Sequence, residues 1–303
     1  MSSSPALDKI TLFAIANIGV AAGVMGVKYL AYLASGSIAL YSDAVESIVN
    51  VVTAAAALAA VRVSAKPADA DHQFGHHKAE FFAAIFEGAM IIVAAVLILT
   101  KAYAALMSGG SLQAPGLGIV ISAVAMAINA GWAWLLMNRG GAWRSPALVA
   151  DGRHLITDVV TSAGVIVGLG LVVVTGWQIL DPLLAALVAI NILWTGYRIA
   201  SDSMSRLLDQ AASPDIAGKI RAVIAANGGG ALEAHDIRTR QAGRALFIEF
   251  HLVVPGAMTV EQAHIICDRL EDAIELAIDG SEVVIHVEPE HKAKPESGGA
   301  VHL

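Results

Sequence analysis

Cysteine is all but missing from this sequence. Cys267 stands alone, which excludes an intrachain disulfide and a cysteine-based zinc cluster. Charge is scarce too: charged residues make up 15% of the chain, against roughly 25% in a soluble domain. With 56% hydrophobic residues and a mean hydropathy of +0.67, the balance is that of a polytopic membrane protein. No basic surface for nucleic acid is suggested. No His-Glu-x-x-His helix occurs, so an intramembrane metalloprotease lacks its motif and no enzyme is expected. The first apolar stretch has no small-residue cleavage site and is long enough to span. It therefore reads as a membrane helix and not as a signal peptide.

The charge that is present is unevenly spread. Residues 1–208 hold 11 basic and 11 acidic side chains, and residues 209–303 hold 8 and 15. The net −7 thus falls on the last third, which reads as a water-soluble acidic domain. Before it, six apolar stretches reach the ~20 residues needed to cross a bilayer: 10–33, 38–61, 81–107, 115–138, 147–174 and 180–200. Breakers separate them at Gly36, Pro67, Gly109–Gly110, Gly140–Gly141, Gly176 and Pro182. Lys9, Arg62, Lys66, Lys78, Arg139, Arg144, Arg198 and Arg206 gather on one side, and Lys101 alone lies near a helix end on the other. The positive-inside rule then places both termini in the cytoplasm of a multi-pass inner-membrane protein. Gly19/Gly23 and Gly164/Gly168 are small-xxx-small pairs that permit close helix contact. Asn17, Asn129 and Asn191 are expected to join helices by hydrogen bonds.

The last third alternates elements in the order αββαβ: a helix over 214–226 with Ser213 as N-cap, strands over 234–240 and 245–254, a helix over 260–278 and a strand over 282–287. The fold class expected is therefore a membrane α-helical domain of six transmembrane helices over 1–208, plus a C-terminal α/β ferredoxin-like cytoplasmic domain over 209–291. The polar end, 292–303, is expected to be a flexible tail.

Ionisable groups at bilayer depth are costly and mark a pathway or site. The second helix places Glu46 and Asn50 four residues apart, on one face. The fifth repeats that spacing with His154 and Asp158. Glu46 and His154 each lie about eight residues, or ~12 Å, from opposite ends of the membrane, so the two pairs can meet near the midplane. Two carboxylates, an imidazole and an amide oxygen suit a first-row divalent cation. The plainer alternative is a hydrogen-bonded interhelix contact, and two matched pairs weigh against it. Asp43 and Asp151, each three residues earlier, read as structural or hydrating groups.

The remaining histidines cluster outside the membrane. The loop after the second helix carries Asp69, His72 and His76 at i, i+3, i+7, which suits a second metal site or, more plainly, a solvated loop. In the tail, His235 and His251 fall on neighbouring strands, His264 on a helix, and His286 with Glu288 at i, i+2 on the last strand. They read as a metal-binding tail, or as surface histidines of a small domain. His291 and His302 receive no role.

Several motifs together resemble the cation diffusion facilitator family, in particular bacterial zinc and ferrous-iron efflux transporters. They are Gly36-Ser-Ile-Ala-Leu-Tyr-Ser-Asp43, Phe74-Gly-His-His-Lys-Ala-Glu80, His154-Leu-Ile-Thr-Asp158, Leu207-Leu-Asp209 and His235-Asp-Ile-Arg-Thr-Arg-Gln241. The resemblance covers about residues 8–290. It implies a homodimeric, proton-coupled antiporter with a metallochaperone-like tail. It carries a transport site onto Glu46, Asn50, His154 and Asp158 and a loop site onto Asp69, His72 and His76. It carries a tail site onto His235, His251, His264, His286 and Glu288, and a junction ion pair onto Lys78 and Asp209. Glu46 and Asn50 depart from the Asp-or-His, then Asp, of zinc members, and Glu288 stands where related exporters show Asp. The cargo expected is Zn2+ first, with Fe2+ or Mn2+ next and Co2+ or Cd2+ also compatible, divalent metal serving as both substrate and regulator. The partners expected are metal ions, protons, the lipid bilayer and a second copy of the chain, with no nucleic acid. The competing class is a membrane-anchored metal sensor without transport.

Overall fold

The computed structural model describes residues 5–108, 112–142, 146–243, 245–294 and 301–303, with the backbone alone at 5–11, 14, 61, 140, 141 and 146–151. The expectations at Gly109–Gly110 and Arg144, and for the side chain of Asp151, lie outside the described residues. By packing, the chain forms two compact units, Met1–Ala59 with Ala83–Ala200 and Ala60–Phe82 with Ser201–Leu303. The hairpin between the second and third helices therefore belongs to the second unit, not to the membrane domain in which the sequence boundary at 208 left it.

Six long helices run through the first unit: α1 (Pro5–Ser35), α2 (Ile38–Ser64), α3 (Ala79–Ser108), α4 (Pro115–Ala142), α5 (Pro146–Thr175) and α6 (Leu180–Leu207). All six are long and apolar enough to cross a membrane. α4 continues through Gly140–Gly141, which were expected to break it. Glycine costs a helix only about 1 kcal/mol per residue, less than the apolar segment gains by staying helical. Asp181 fixes the start of α2, its carboxylate accepting from Ser37 Oγ at 2.5 Å, Ile38 N at 2.7 Å and Ala39 N at 3.3 Å.

The apolar core occupies one half of this bundle. Leu40, Val45 and Val49 of α2 pack there with Ala94, Ala95 and Ile98 of α3, Val165, Leu169 and Val172 of α5, and Ala185, Ala189 and Ile192 of α6. Close helix approach occurs at Gly88 and Gly196. A Cβ on Gly88 would meet Gly196 O and Ala200 N at 2.8 Å, so α3 and α6 nearly touch. A Cβ on Gly19 or Gly23 would meet nothing within 4 Å among the described residues, and of Gly164/Gly168 only Gly168 is crowded there, by Leu184. Spacing shows that two glycines share a face, but the bulk opposite decides whether that face packs. Trp132 Nε1 donates to Asn17 Oδ1 at 2.8 Å, which joins α1 and α4 as expected. Asn129 Oδ1 is buried without a partner among the described residues, and Asn191 is exposed on α6; neither side chain makes the expected helix-joining bond among those residues.

The second unit contains α7 (Pro214–Asn227), β1 (Glu233–Ala242), β2 (Ala245–Val254), α8 (Val260–Ala277) and β3 (Ser281–Pro289), the αββαβ order read from the sequence. Ser213 caps α7, and Thr259 with Gln262 forms a capping box on α8. β2 runs antiparallel to β1 and parallel to β3, the latter being the pairing a helical crossover allows. Leu246, Ile248, Phe250, Leu252 and Val254 of β2 face Ile220, Ile224, Leu270 and Ile274 of the two helices. The opposite sheet face carries Glu249 and His251 of β2 between the buried Phe247 and Val253. A fourth strand, β4 (Val301–His302), pairs with β1, so the sheet order is β3-β2-β1-β4. The expectation of a wholly flexible end at 292–303 is corrected there. Val301 and Leu303 join the domain's apolar core, contacts that two residues in a polar stretch do not advertise.

Candidate metal centres

On the sheet face away from the helices, three imidazoles form one row. His235 is the cross-strand partner of His251, and His251 is the partner of His286. Glu288 lies two residues beyond His286, so it points to the same face. Its carboxylate reaches His251 Nδ1 at 3.3 Å, His235 Nε2 at 3.4 Å and His286 Nε2 at 3.8 Å. One donor atom from each of His235, His251 and Glu288 lies within 4.8 Å of the others, compact enough for the three to converge on one ion. His235 is 2% exposed. A β-bulge after it, with Asp236 at φ 51°, breaks the register before Arg238. Bulges of this kind re-aim side chains beside functional sites. Lys294 Nζ pairs with Asp236 and holds its carboxyl below the usual range.

His264 does not join this row. It is exposed on α8, which covers the other sheet face, and its nearest acidic partner is Asp268 at 3.6 Å. The expectation that it shares the site within one chain is therefore corrected, because a helix face and a strand face cannot be related from sequence alone. Glu233, absent from the sequence reading, does belong: Oε1 lies 2.8 Å from His235 Nδ1 and accepts from Lys294 N at 3.0 Å. A carboxylate on the second ring nitrogen fixes the imidazole's tautomer and direction. Its signal was the i, i+2 spacing to His235.

The loop cluster has similar dimensions. Asp69 Oδ1 is 3.3 Å from His72 Nδ1, and Asp69 Oδ2 is 3.4 Å from His76 Nε2. The segment is a tight turn, not a helix. Asp69 accepts from the backbone N–H of Asp71 and of His72, and chiefly the His72 bond holds its carboxyl below the usual range. Nearby, Lys78 Nζ donates to Asp209 Oδ1 at 2.8 Å, which likewise lowers that carboxyl's pKa. Arg240 stacks on both Phe74 and Phe247, ring centroids 5.0 and 4.4 Å from its guanidinium carbon.

Within the membrane helices a cavity of about 210 Å³ is lined by Asn17, Ser47, Asn50, Asn129, His154 and Asp158, among others. It occupies the half of the bundle that contains the C-terminal part of α2 and the N-terminal parts of α3 and α5, away from the apolar core. Asn50 Nδ2 donates to Asp158 Oδ2 at 3.1 Å, and His154 stands one turn from Asp158 on the same wall. Glu46 is half-buried and within electrostatic reach of Asp158, but it does not line the cavity. Beneath the cavity, Lys28 of α1, Asp43 of α2 and Ser162 of α5 form a buried triangle. Lys28 Nζ donates to Asp43 Oδ1 at 2.8 Å and to Ser162 Oγ at 3.0 Å, and Ser162 donates to Asp43 at 2.9 Å. Asp43 Oδ1 is thus committed to structure.

Residues 14–208 match the cation efflux transmembrane domain, and residues 212–290 match the cytoplasmic domain of cation efflux proteins. The chain belongs to the cation diffusion facilitator family. A Synechocystis protein named "Uncharacterized transporter sll1263" is 43% identical over 91% of this chain and 89% of its own. The "Cation-efflux pump FieF" of Klebsiella pneumoniae is 33% identical over 91% of each chain. A solved chain described as the metal-bound C-terminal domain of the CzcD transporter from Thermotoga maritima is 31% identical. It covers 26% of this chain and 93% of its own, with a TM-score of 0.25. As a cation diffusion facilitator the protein is a multi-pass membrane transporter of metal cations, and the family is not an enzyme class.

Two groups that sequence reasoning missed now stand out in the membrane unit. Lys28 gave no signal because a lone lysine near a helix end reads as snorkelling. Glu87 of α3 also lines the cavity, and it has no polar residue three or four positions away on α3 to mark a face.

Proposed function

We propose that this cation diffusion facilitator is a proton-coupled antiporter that exports divalent transition-metal ions from the cytosol, as a homodimer in the inner membrane with both termini cytoplasmic. Zn2+ is the first cargo assigned, with Fe2+ and Mn2+ next. The observation that carries this reading is the polar cavity at bilayer depth, where His154, Asp158 and Asn50 share a wall. Imidazole, carboxylate and amide oxygen together favour borderline divalent ions. A proton on His154 or Asp158 competes with the cation for the same lone pairs, so protonation drives release. In this reading Glu46 joins the shell in another step of the transport cycle. Residues 1–208 carry transport and residues 209–291 form a regulatory metal-binding domain. Asp69, His72 and His76 form a loop site, and His235, His251, His286 and Glu288 form the tail site. Lys78 and Asp209 form the junction pair. The 3.3–3.4 Å donor separations in loop and tail support metal binding there without transport, so a membrane-anchored sensor is the reading to exclude. Purified protein in liposomes, loaded with a metal-sensitive and a pH-sensitive dye, separates the two. Antiport gives Zn2+ flux with opposite proton movement, and a sensor gives binding with no flux.

A further inference from the structure

Glu87 lies eight residues beyond Ala79, the first residue of Ala79–Ser108, about 12 Å along the helix. Its side chain is half-buried and within electrostatic reach of His154. A carboxylate at bilayer depth is expensive and is kept for function. Its direction is fixed by its neighbour: Gly88 packs against Gly196 and Ala200 of α6 with no room for a Cβ, so α3 cannot rotate without a clash. Glu87 is thereby held on the wall of the cavity that also contains Asn50, His154 and Asp158. Among the described lining residues, Glu87 and Asp158 are the two carboxylates. A second observation points to a ligand there. Asn129 lines the same cavity, is 3% exposed, and its Oδ1 accepts no hydrogen bond among the described residues. The cavity therefore offers oxygen donors in excess of what the protein itself satisfies.

We infer that Glu87 is a further cation ligand of the membrane cavity, supplying from α3 the negative charge that neutral Asn50 does not. With Asp158 it balances a divalent ion while His154 and Asn50 complete the donor set. This inference rests on the reading of that cavity as the transport site. It also states why a chain with Asn50 can still neutralise its cargo. The extra carboxylate oxygen shifts the set towards cations that prefer oxygen.

The test is Zn2+ flux and Zn2+ calorimetry on full-length dimers. The set is wild type, Glu87→Gln, Asn50→Asp, the double variant and Asp158→Ala, each with His235→Ala and Asp69→Ala to silence tail and loop. Glu87→Gln keeps size and polarity, so folding is preserved. The expected result is a rise of about tenfold or more in half-saturating Zn2+, with at least partial recovery when Asn50→Asp returns a carboxylate. An unchanged half-saturation in Glu87→Gln overturns the inference, as does a loss that Asn50→Asp does not relieve. Normal flux in Asp158→Ala would instead remove the transport-site reading, and the inference with it.

Discussion

Replacing Lys28 with Met should cost this protein more than any single change at the cavity wall. Lys28 and Asp43 are 2% and 3% exposed and 2.8 Å apart, with Ser162 bonded to both. Lys28→Met leaves the Asp43 carboxylate buried beside one hydroxyl donor. Breaking a buried pair on one side costs about 3–5 kcal/mol. At about 2–4 °C per kcal/mol for a chain of this order of size, the melting temperature should fall by roughly 6–20 °C. Lys28→Met with Asp43→Asn removes both charges and keeps an amide for Ser162. Neutral replacements of buried pairs often match or exceed the original, so the double variant should recover most of the loss. Thermal unfolding of the detergent-purified full chain, followed by size-exclusion chromatography, measures both values. The reasoning is refuted if Lys28→Met melts within a degree or two of wild type, or if the double variant is as unstable as the single one.

Other expectations follow from the remaining polar groups. Asn50→Asp places a carboxylate where an amide now donates to Asp158 at 3.1 Å; metal preference should change and the pH dependence of flux should steepen. An unchanged metal panel and pH profile from pH 6 to 8 would mean that Asn50 only packs. Replacing His251 and His286 together with Ala should raise half-maximal Zn2+ by about 5- to 150-fold, the range of ordinary coupling energies, while maximal flux stays measurable. Complete loss of flux in a folded double variant would make the tail part of the obligatory route. The Lys78 hydrogen bond depresses the Asp209 pKa below 3.8, so its stabilisation is full above the unfolded value and fades as pH falls through the folded one. Asp209→Asn should therefore melt lower than wild type by a constant small margin between pH 6 and 8, about 0–1 kcal/mol given the exposure of both partners. That gap should close below about pH 4. A gap that varies between pH 6 and 8 contradicts the assignment.

What the sequence made legible was whatever repeats with a period. Six hydropathy runs became six helices, because burying a span of backbone in lipid leaves helix as the only single-segment solution. Alternation in 245–254 gave β2 its two faces, and with them the row through His251. The i, i+2 pair His286/Glu288 was readable for the same reason. The failures are contacts without a period. β4 adds two residues to a sheet edge, and His264 lies on a helix whose covered face depends on packing. Glu46 shares a face with Asn50, yet only Asn50 enters the cavity, since a helix face is wider than the cavity's wall. Glu87 and Lys28 are isolated ionisable residues within apolar helices, and their roles depend on neighbours distant in sequence, Asn50, Asn129, His154 and Asp158 for Glu87 and Asp43 and Ser162 for Lys28. The small-xxx-small pairs failed in the opposite direction. The period was present at Gly19/Gly23, but no partner occupies that face among the described residues.

The central claim is that the cavity between α2 and α5 conducts the cation. The most direct measurement is Zn2+ flux into liposomes under an imposed pH gradient, for wild type, His154→Ala and Asp158→Ala, each verified as a folded dimer. The account predicts proton-driven flux in wild type and none above background in either variant, with metal still bound at loop and tail. Near-normal flux in both folded variants would contradict it.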